Sequence, residues 1–229
     1  MYGSAVPIAG GPAAGLRILA ERRSLAWISV TVESEVQAVI TARLKPGGVF
    51  LDVGSSIGFF ALLAARLVGG NGVVIAFEPQ PRAADSVRRN AELNGFENVR
   101  VVESVVSSGP GEVLFEGVGK ATAHVARGPH GGPALRVAAT SVDAFLSAQR
   151  ELRPDLVKID VEGHEHDVLL GMRSTLRELR PALVIECHDR SGELVDVLED
   201  ASYAVSVLGS ATPARQAPAS AHLLALGDS

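Results

Sequence analysis

The sequence predicts an α/β protein built on a seven-stranded, mostly parallel sheet with helices on both faces and an antiparallel last strand. Three observations carry this. From Val49 onward, short apolar runs alternate with helix-period segments, the pattern of parallel strands joined by helical crossovers. The run at 49–53 carries apolar residues on both faces rather than alternating, as strands buried on both faces do. The last two, at 203–208 and 222–226, have no helical pattern between them, and a parallel pair would need a crossover.

Each element follows in turn. Residues 1–14, rich in Gly, Pro and Ala, are expected to be poorly ordered. Residues 16–44 hold helical stretches, with Val36, Val39 and Ile40 on one apolar stripe. Residues 1–44 thus read as a disordered segment and helical cap, and 45–229 as the main domain. Lys45-Pro-Gly-Gly48 ends the cap with breakers. The first strand covers 49–53, with a helix at 59–68; the second covers 73–77, with a helix at 81–94 stopped by Asn94-Gly95. A third strand lies at 99–102 and a fourth at 155–161. A helix over 164–179 ends before Pro181, and a fifth strand covers 182–187. A last helix at 193–200 precedes the final two strands. The glycine-dense segment 109–133, with a strand-like piece at 112–115, and the loop 209–221 lack element signals. Each is expected either to shape a substrate mouth or to be a plain surface loop.

Composition narrows the class. At 229 residues, 47% hydrophobic and with mean hydropathy +0.23, the chain can bury a real core, and its length favours a single domain. Aromatics are only 4%, so aliphatic residues and alanine must fill that core. A net charge of -5 argues against nucleic acid as a partner. The single cysteine, Cys187, excludes a disulfide framework and fits a reducing compartment. No uncharged apolar run approaches the ~18 residues of a membrane span, and residues 1–12 lack the basic-then-apolar order of a secretory leader. A cytoplasmic protein with no membrane partner is expected; the oligomeric state stays open.

The chemistry is concentrated in Asp52-Val-Gly-Ser-Ser-Ile-Gly58, between the first strand and a helix opening at Phe59. Gly54 and Gly58 let the chain turn sharply and let a ligand approach, at the carboxyl end of a strand, where nucleotide-type ligands bind. The turn is not Gly-x-Gly-x-x-Gly. Asp52 stands where it would repel a pyrophosphate and suits a cationic ligand instead, and S-adenosylmethionine has that charge pattern. Glu78 closes the second strand twenty residues after Gly58, the usual place for an acid that accepts hydrogen bonds from both ribose hydroxyls. Ser104 falls where adenine edges are commonly read, or is a plain loop serine. The expected cofactor set is Asp52, Gly54, Ser55, Ser56, Gly58, Phe59, Glu78, Pro79 and Ser104.

A second constellation is Leu156-Val-Lys-Ile-Asp-Val-Glu-Gly-His-Glu-His166. Lys158 and Asp160 interrupt an apolar strand near its carboxyl end, and burying such groups without partners is expensive, so they are expected to line a site. Glu162 and Glu165 follow at a helix start, where the dipole favours acids and suffices to explain Glu165. His164 and His166 face different directions on a helix and do not read as a metal pair. His188 ends the fifth strand, and a histidine neutral near pH 7 can take a proton from a hydroxyl. The expected catalytic set is Asp160, Glu162 and His188; the same three could instead gather a divalent ion, and the sequence leaves that open. Cys187 reads as a buried structural thiol.

Asp52-Val-Gly-Ser-Ser-Ile-Gly58, Phe77-Glu-Pro79, Asn94-Gly95 and above all Lys158-Ile-Asp-Val-Glu-Gly163 resemble the FkbM family of S-adenosylmethionine-dependent methyltransferases, over about 36–207. The resemblance implies a class I, Rossmann-like methyltransferase fold. It also implies O-methylation of a hydroxyl on a small-molecule acceptor, a sugar or natural-product scaffold. Ser55 and Ser56 stand where the family's turn commonly reads Ala-Asn, which is expected to alter affinity rather than abolish binding. Segment 109–133 matches no family pattern. Two rivals are a nicotinamide-dependent oxidoreductase, which lacks its glycine fingerprint here, and a non-catalytic binding module, which would have no need of Asp52, Glu78 and Asp160 together.

Overall fold

A computed structural model describes residues 4–19, 33–117, 123–126 and 134–227. The chain divides into two compact units, 1–103 and 104–229.

The first unit runs β1 (Ala5–Pro7), β2 (Arg17–Leu19), α1 (Ser34–Arg43), β3 (Val49–Val53), α2 (Phe59–Val68), β4 (Val73–Phe77), α3 (Pro81–Leu93) and β5 (Val99–Val102). β3, β4 and β5 pair in parallel, Val53 beside Phe77 and Phe77 beside Val102. α2 is apolar nearly all round and packs on β3 and β4 with Phe59–Ala65 and Val68 buried, as expected of a helix in the core rather than on its surface. α3 begins at Pro81, where a missing N–H costs nothing.

The N-terminal segment departs from the expected disorder. β1 and β2 form an antiparallel pair, with Ile8, Ala13, Leu16 and Ile18 buried. Asn94, read as a helix stop, also holds this hairpin: its Oδ1 accepts Arg17 N–H at 2.8 Å and its Nδ2 donates to Arg17 O at 2.7 Å. Of the helical stretches expected over 16–44, α1 is present, 17–19 is strand, and 20–32 lies outside the described residues.

The second unit runs β6 (Val105–Val106), β7 (Gly111–Glu116), β8 (His124–Val125), β9 (Ala134–Thr140), α4 (Val142–Ser147), β10 (Leu156–Ile159), α5 (Glu165–Leu170), β11 (Ala182–Cys187), α6 (Ser191–Asp200), β12 (Tyr203–Val207) and β13 (Ala221–Gly227). β10 and β11 are parallel, whereas β13 is antiparallel to both β11 and β12. The expected seven strands are therefore all present, three in the first unit and four in the second, with the antiparallel finish. No described helix is long and apolar enough to cross a membrane.

Two features of this unit depart from expectation. β6, β9, β7 and β8 form a separate small sheet around Val105, Phe115, Ala123 and Ala139. The strand-like piece expected at 112–115 is β7, the rest of 109–133 adds the unforeseen β8, and 118–122 and 127–133 lie outside the described residues. The helix expected over 164–179 is interrupted: α5 stops at Leu170, and a π-helical turn covers Thr175–Leu179. Gly171 sits at the break because a Cβ there would lie 2.0 Å from Ser107 O and 2.8 Å from Ser141 Cβ. Asp143 supports the new start, accepting the N–H groups of Ser174 and Thr175 at 2.9 and 2.8 Å.

Candidate functional site

In the first unit, β3 delivers Asp52 to the strand end and the chain then turns tightly. The N–H groups of Gly54 and Ser55 both donate to Phe77 O, at 3.1 and 3.0 Å, so the turn is fastened to the end of β4. Gly54, Ser56 and Gly58 take φ of 84°, 52° and 87°, left-handed values that glycine adopts without strain. At Gly58 a side chain would also come within 3.0 Å of Val87 Cγ1, so the site needs glycine on two counts.

Asp52 is 1% exposed, and its Oδ2 accepts the Ser55 hydroxyl at 2.9 Å. Glu78 is held by backbone on both sides: Oε2 accepts Ser56 N–H and Oε1 accepts Gln80 N–H, each at 2.9 Å. The two acids thus share one turn, Asp52 through Ser55 and Glu78 through Ser56. Phe59 is buried in α2, edge-on to Phe60 at 5.2 Å between centroids, which makes it core beneath the turn. Asn90, a residue without a sequence signal, secures the turn's far side. Its Nδ2 donates to Ile57 O and its Oδ1 accepts Leu19 N–H, at 2.9 and 2.8 Å.

In the second unit, β10 and β11 carry the second constellation to their carboxyl ends. Lys158, 2% exposed, bonds Asp160 Oδ2 at 3.0 Å. Burial raises the Asp160 pKa, but the Lys158 charge and hydrogen bond, with His188 and His222, outweigh it, and the net direction is down. The chain then turns through Glu162 and Gly163, both left-handed at φ 53° and 93°. The Glu162 carboxylate lies 3.3 Å from His188 Nε2. On its other nitrogen, His188 Nδ1 meets Glu165 Oε1 at 2.9 Å, and Glu186 lies 3.8 Å from Nε2. His222 pairs across from Glu186 in the β11–β13 register, 3.9 Å from it.

This environment changes two assignments. The hydrogen bond that His188 donates to Glu165 raises the His188 pKa to about 9, against burial and with help from the charges of Glu165, Glu186 and Asp160. The expectation of a histidine neutral near pH 7 therefore fails: at that pH the ring already carries its second proton and cannot accept another. Glu162 moves the other way. Burial raises its pKa, and the charges of Asp160 and Glu165 add to this, against His188 and His124. Of the three expected catalytic residues, Glu162 is the carboxylate whose proton affinity is enhanced.

The remaining expected residues take plainer places. Ser104 Oγ lies 3.1 and 3.0 Å from Val105 O and Ala138 O, which ties it into the small sheet. His164 Nε2 meets Ser107 Oγ at 2.9 Å, and its Nδ1 lies 3.3 Å from Asp167. Cys187 is buried, and burial with the charges of Glu165 and Asp189 raises its thiol pKa to about 11, so it is no nucleophile at neutral pH. Asp160, Glu186 and His188 form one trio among the described residues with ligand atoms within 4.8 Å of one another, with Glu186 in place of the expected Glu162. A divalent ion could bridge that spacing, although Lys158 already supplies positive charge beside Asp160.

Glu165, Glu186 and His222 were not foreseen as part of this cluster. Glu186 could have been found, since it lies on β11 two positions before His188, which directly follows the strand end. Glu165 gave no such sign, because its partner lies 23 positions away.

Known proteins match this architecture. The family model described as the methyltransferase FkbM domain matches residues 52–205. The hexuronic acid methyltransferase AglP of Haloferax volcanii is 28% identical over 159 residues, which take in 68% of this chain and 62% of that protein. The chain thus spans about three fifths of that relative's length. Two solved structures share the fold. A methyltransferase FkbM from Methylobacillus flagellatus has a TM-score of 0.54 at 17% identity, covering 90% of this chain and 56% of its own. An S-adenosylmethionine-dependent O-methyltransferase from Thermotoga maritima has a TM-score of 0.55 at 15% identity, covering 99% and 78%. The fold is that of the class I methyltransferases. With both constellations, Asp52–Gly58 and Lys158–Gly163, inside the matched segment, the chain belongs to the FkbM family of S-adenosylmethionine-dependent methyltransferases.

Proposed function

We propose that this protein transfers a methyl group from S-adenosylmethionine to a hydroxyl oxygen of a small sugar or natural-product acceptor. The observation that carries the hydroxyl assignment is the Glu162–His188 pair at 3.3 Å, a carboxylate of raised proton affinity beside a charged imidazole. The relative active on a hexuronic acid supports a sugar-like acceptor.

The first unit's residues fit the donor. Each oxygen of Glu78 can accept a second bond, so the carboxylate fixed by Ser56 and Gln80 would hold two vicinal ribose hydroxyls. Pro79 follows it at the strand end. Asp52 would act on the ammonium end through Ser55, with Gly54, Ser56 and Gly58 giving close backbone approach. The serines in place of Ala-Asn then tune that end of the site. When bound, S-adenosylmethionine supplies a methyl group on a sulfonium, an electrophile that needs only an aligned oxygen.

The second unit's residues handle the proton. Glu162 would receive the hydroxyl proton on a carboxylate oxygen, and His188, already charged, would stabilise the developing alkoxide. Asp160, anchored by Lys158, would orient the hydroxyl. General base catalysis of this kind contributes typically ~10²–10⁴-fold, and alignment supplies much of the remaining rate. The test is transfer of labelled methyl onto a panel of sugars and polyketide-like alcohols, with the product position mapped. Label on an alcohol oxygen supports the proposal. Label only on nitrogen or carbon, or none on any acceptor, contradicts it.

A further inference from the structure

One member of the second cluster has no part in the chemistry above. Glu165 opens α5 with a side chain only 1% exposed. A buried carboxylate is costly unless its oxygens are met, and Glu165 Oε1 has two partners: Gly163 N–H and His188 Nδ1, each at 2.9 Å. The first belongs to the turn that carries Glu162. The second belongs to the ring whose Nε2 lies 3.3 Å from Glu162 Oε2. One oxygen thus grips both sides of the Glu162–His188 contact. Fixing Nδ1 also fixes where Nε2 points, toward Glu162 and Glu186. Favour from the helix dipole, enough to explain an acid at this position, does not explain why the side chain turns inward to these two partners.

We infer that Glu165 is a positioning residue for methyl transfer: it orients the His188 ring and the 162–163 turn together, and so sets the separation between Glu162 and the imidazole at the acceptor hydroxyl. This role rests on the methyl-transfer reading of the site.

Its test has two readouts on the full chain. In the first, histidine ring nitrogens are labelled with ¹⁵N, and the His188 Nδ1 proton is assigned by its loss in His188→Asn. In Glu165→Gln this resonance is expected to move upfield, as a charge-assisted bond becomes a neutral one, while the His164 signals stay. An unmoved His188 resonance overturns the role. In the second, Glu165→Gln is expected to lower kcat by ~10–100-fold, the scale of a small misplacement, with KM for S-adenosylmethionine unchanged. Made in a His188→Ala background, the same substitution is expected to lower kcat by less than it does in the unaltered chain, because the part of its effect that runs through the ring is already lost. Losses that multiply overturn the role. Glu165→Asp keeps the charge but retracts it by one methylene; it is expected to lose turnover as well, and full turnover in it contradicts the role. If the unaltered protein transfers no methyl group, the role falls together with the methyl-transfer reading, whereas an unmoved resonance overturns the role alone.

Discussion

The turn around Asp52 and the cluster around His188 are both acidic, and they are assembled in opposite ways. The first is local. Asp52, Ser55 and Ser56 lie within five consecutive positions, and Glu78 reaches them because β3 and β4 are adjacent parallel strands. Its acids accept from the Ser55 hydroxyl and from the backbone N–H donors of Ser56 and Gln80. The second is gathered from separate elements, and its acids are held by other titratable groups, Lys158 and His188. A site built from backbone donors presents a ligand with one fixed geometry. A site built from coupled acids and bases can move a proton, and its charge depends on pH.

Substitutions can break this contrast, and the largest effect is expected in the second region. Glu162→Gln should lower kcat by ~10²–10⁴-fold, the usual worth of a general base, and leave cofactor affinity within about 2-fold. Steady-state kinetics with labelled methyl donor would check it; loss of affinity with kcat intact would show the two roles to be reversed.

Next in size is the first region. Glu78→Ala would remove the acceptor proposed for two ribose hydroxyls and strand the N–H groups of Ser56 and Gln80. Hydrogen bonds to a charged group are worth about 1.5–3 kcal/mol each, so the dissociation constant for S-adenosylmethionine should rise by ~10²-fold, read by calorimetric titration. An unchanged constant would remove Glu78 from the donor site.

How legible each region was follows from the same contrast. The turn could be read because its glycines, its acid and its distance to Glu78 are all sequence-local. The main strands were equally plain: 49–53, 73–77, 99–102 and 182–187 are apolar runs that coincide with β3, β4, β5 and β11. The small sheet was not, because β9 reads Ala-Leu-Arg-Val-Ala-Ala-Thr with weak alternation and finds its register only against β7. The α5 break was hidden too, since Gly171 is needed for contact with Ser107 and Ser141, far away in sequence. The Glu165–His188 bond likewise depends on how α5 follows β10. The charge of His188 was not legible, because it depends on Glu165, which reaches the ring from 23 positions away.

Two smaller effects sharpen the comparison. Asn90→Ala should cost about 1–3 kcal/mol by leaving Ile57 O and Leu19 N–H unsatisfied. Chemical denaturation would measure it, and cofactor affinity should fall by less than in Glu78→Ala. Stability identical to that of the unaltered chain would mean that Asn90 does not anchor the turn.

The other effect is the pH dependence of the cluster. The folded-state pKa of His188 is raised from 6.5 to about 9. The stability it contributes is therefore complete below about pH 6.5 and is lost as pH rises through about 9. Urea midpoints of the unaltered protein and His188→Gln, compared between those limits, should converge as pH rises. A constant difference would show that His188 does not gain its proton on folding.

The division of labour itself is tested most directly by calorimetric titration of S-adenosylmethionine into the unaltered protein and into Glu162→Gln, with NAD as the competing ligand. The account predicts saturable S-adenosylmethionine binding of equal affinity in both proteins and no response to NAD. Tight NAD binding with no response to S-adenosylmethionine would contradict it.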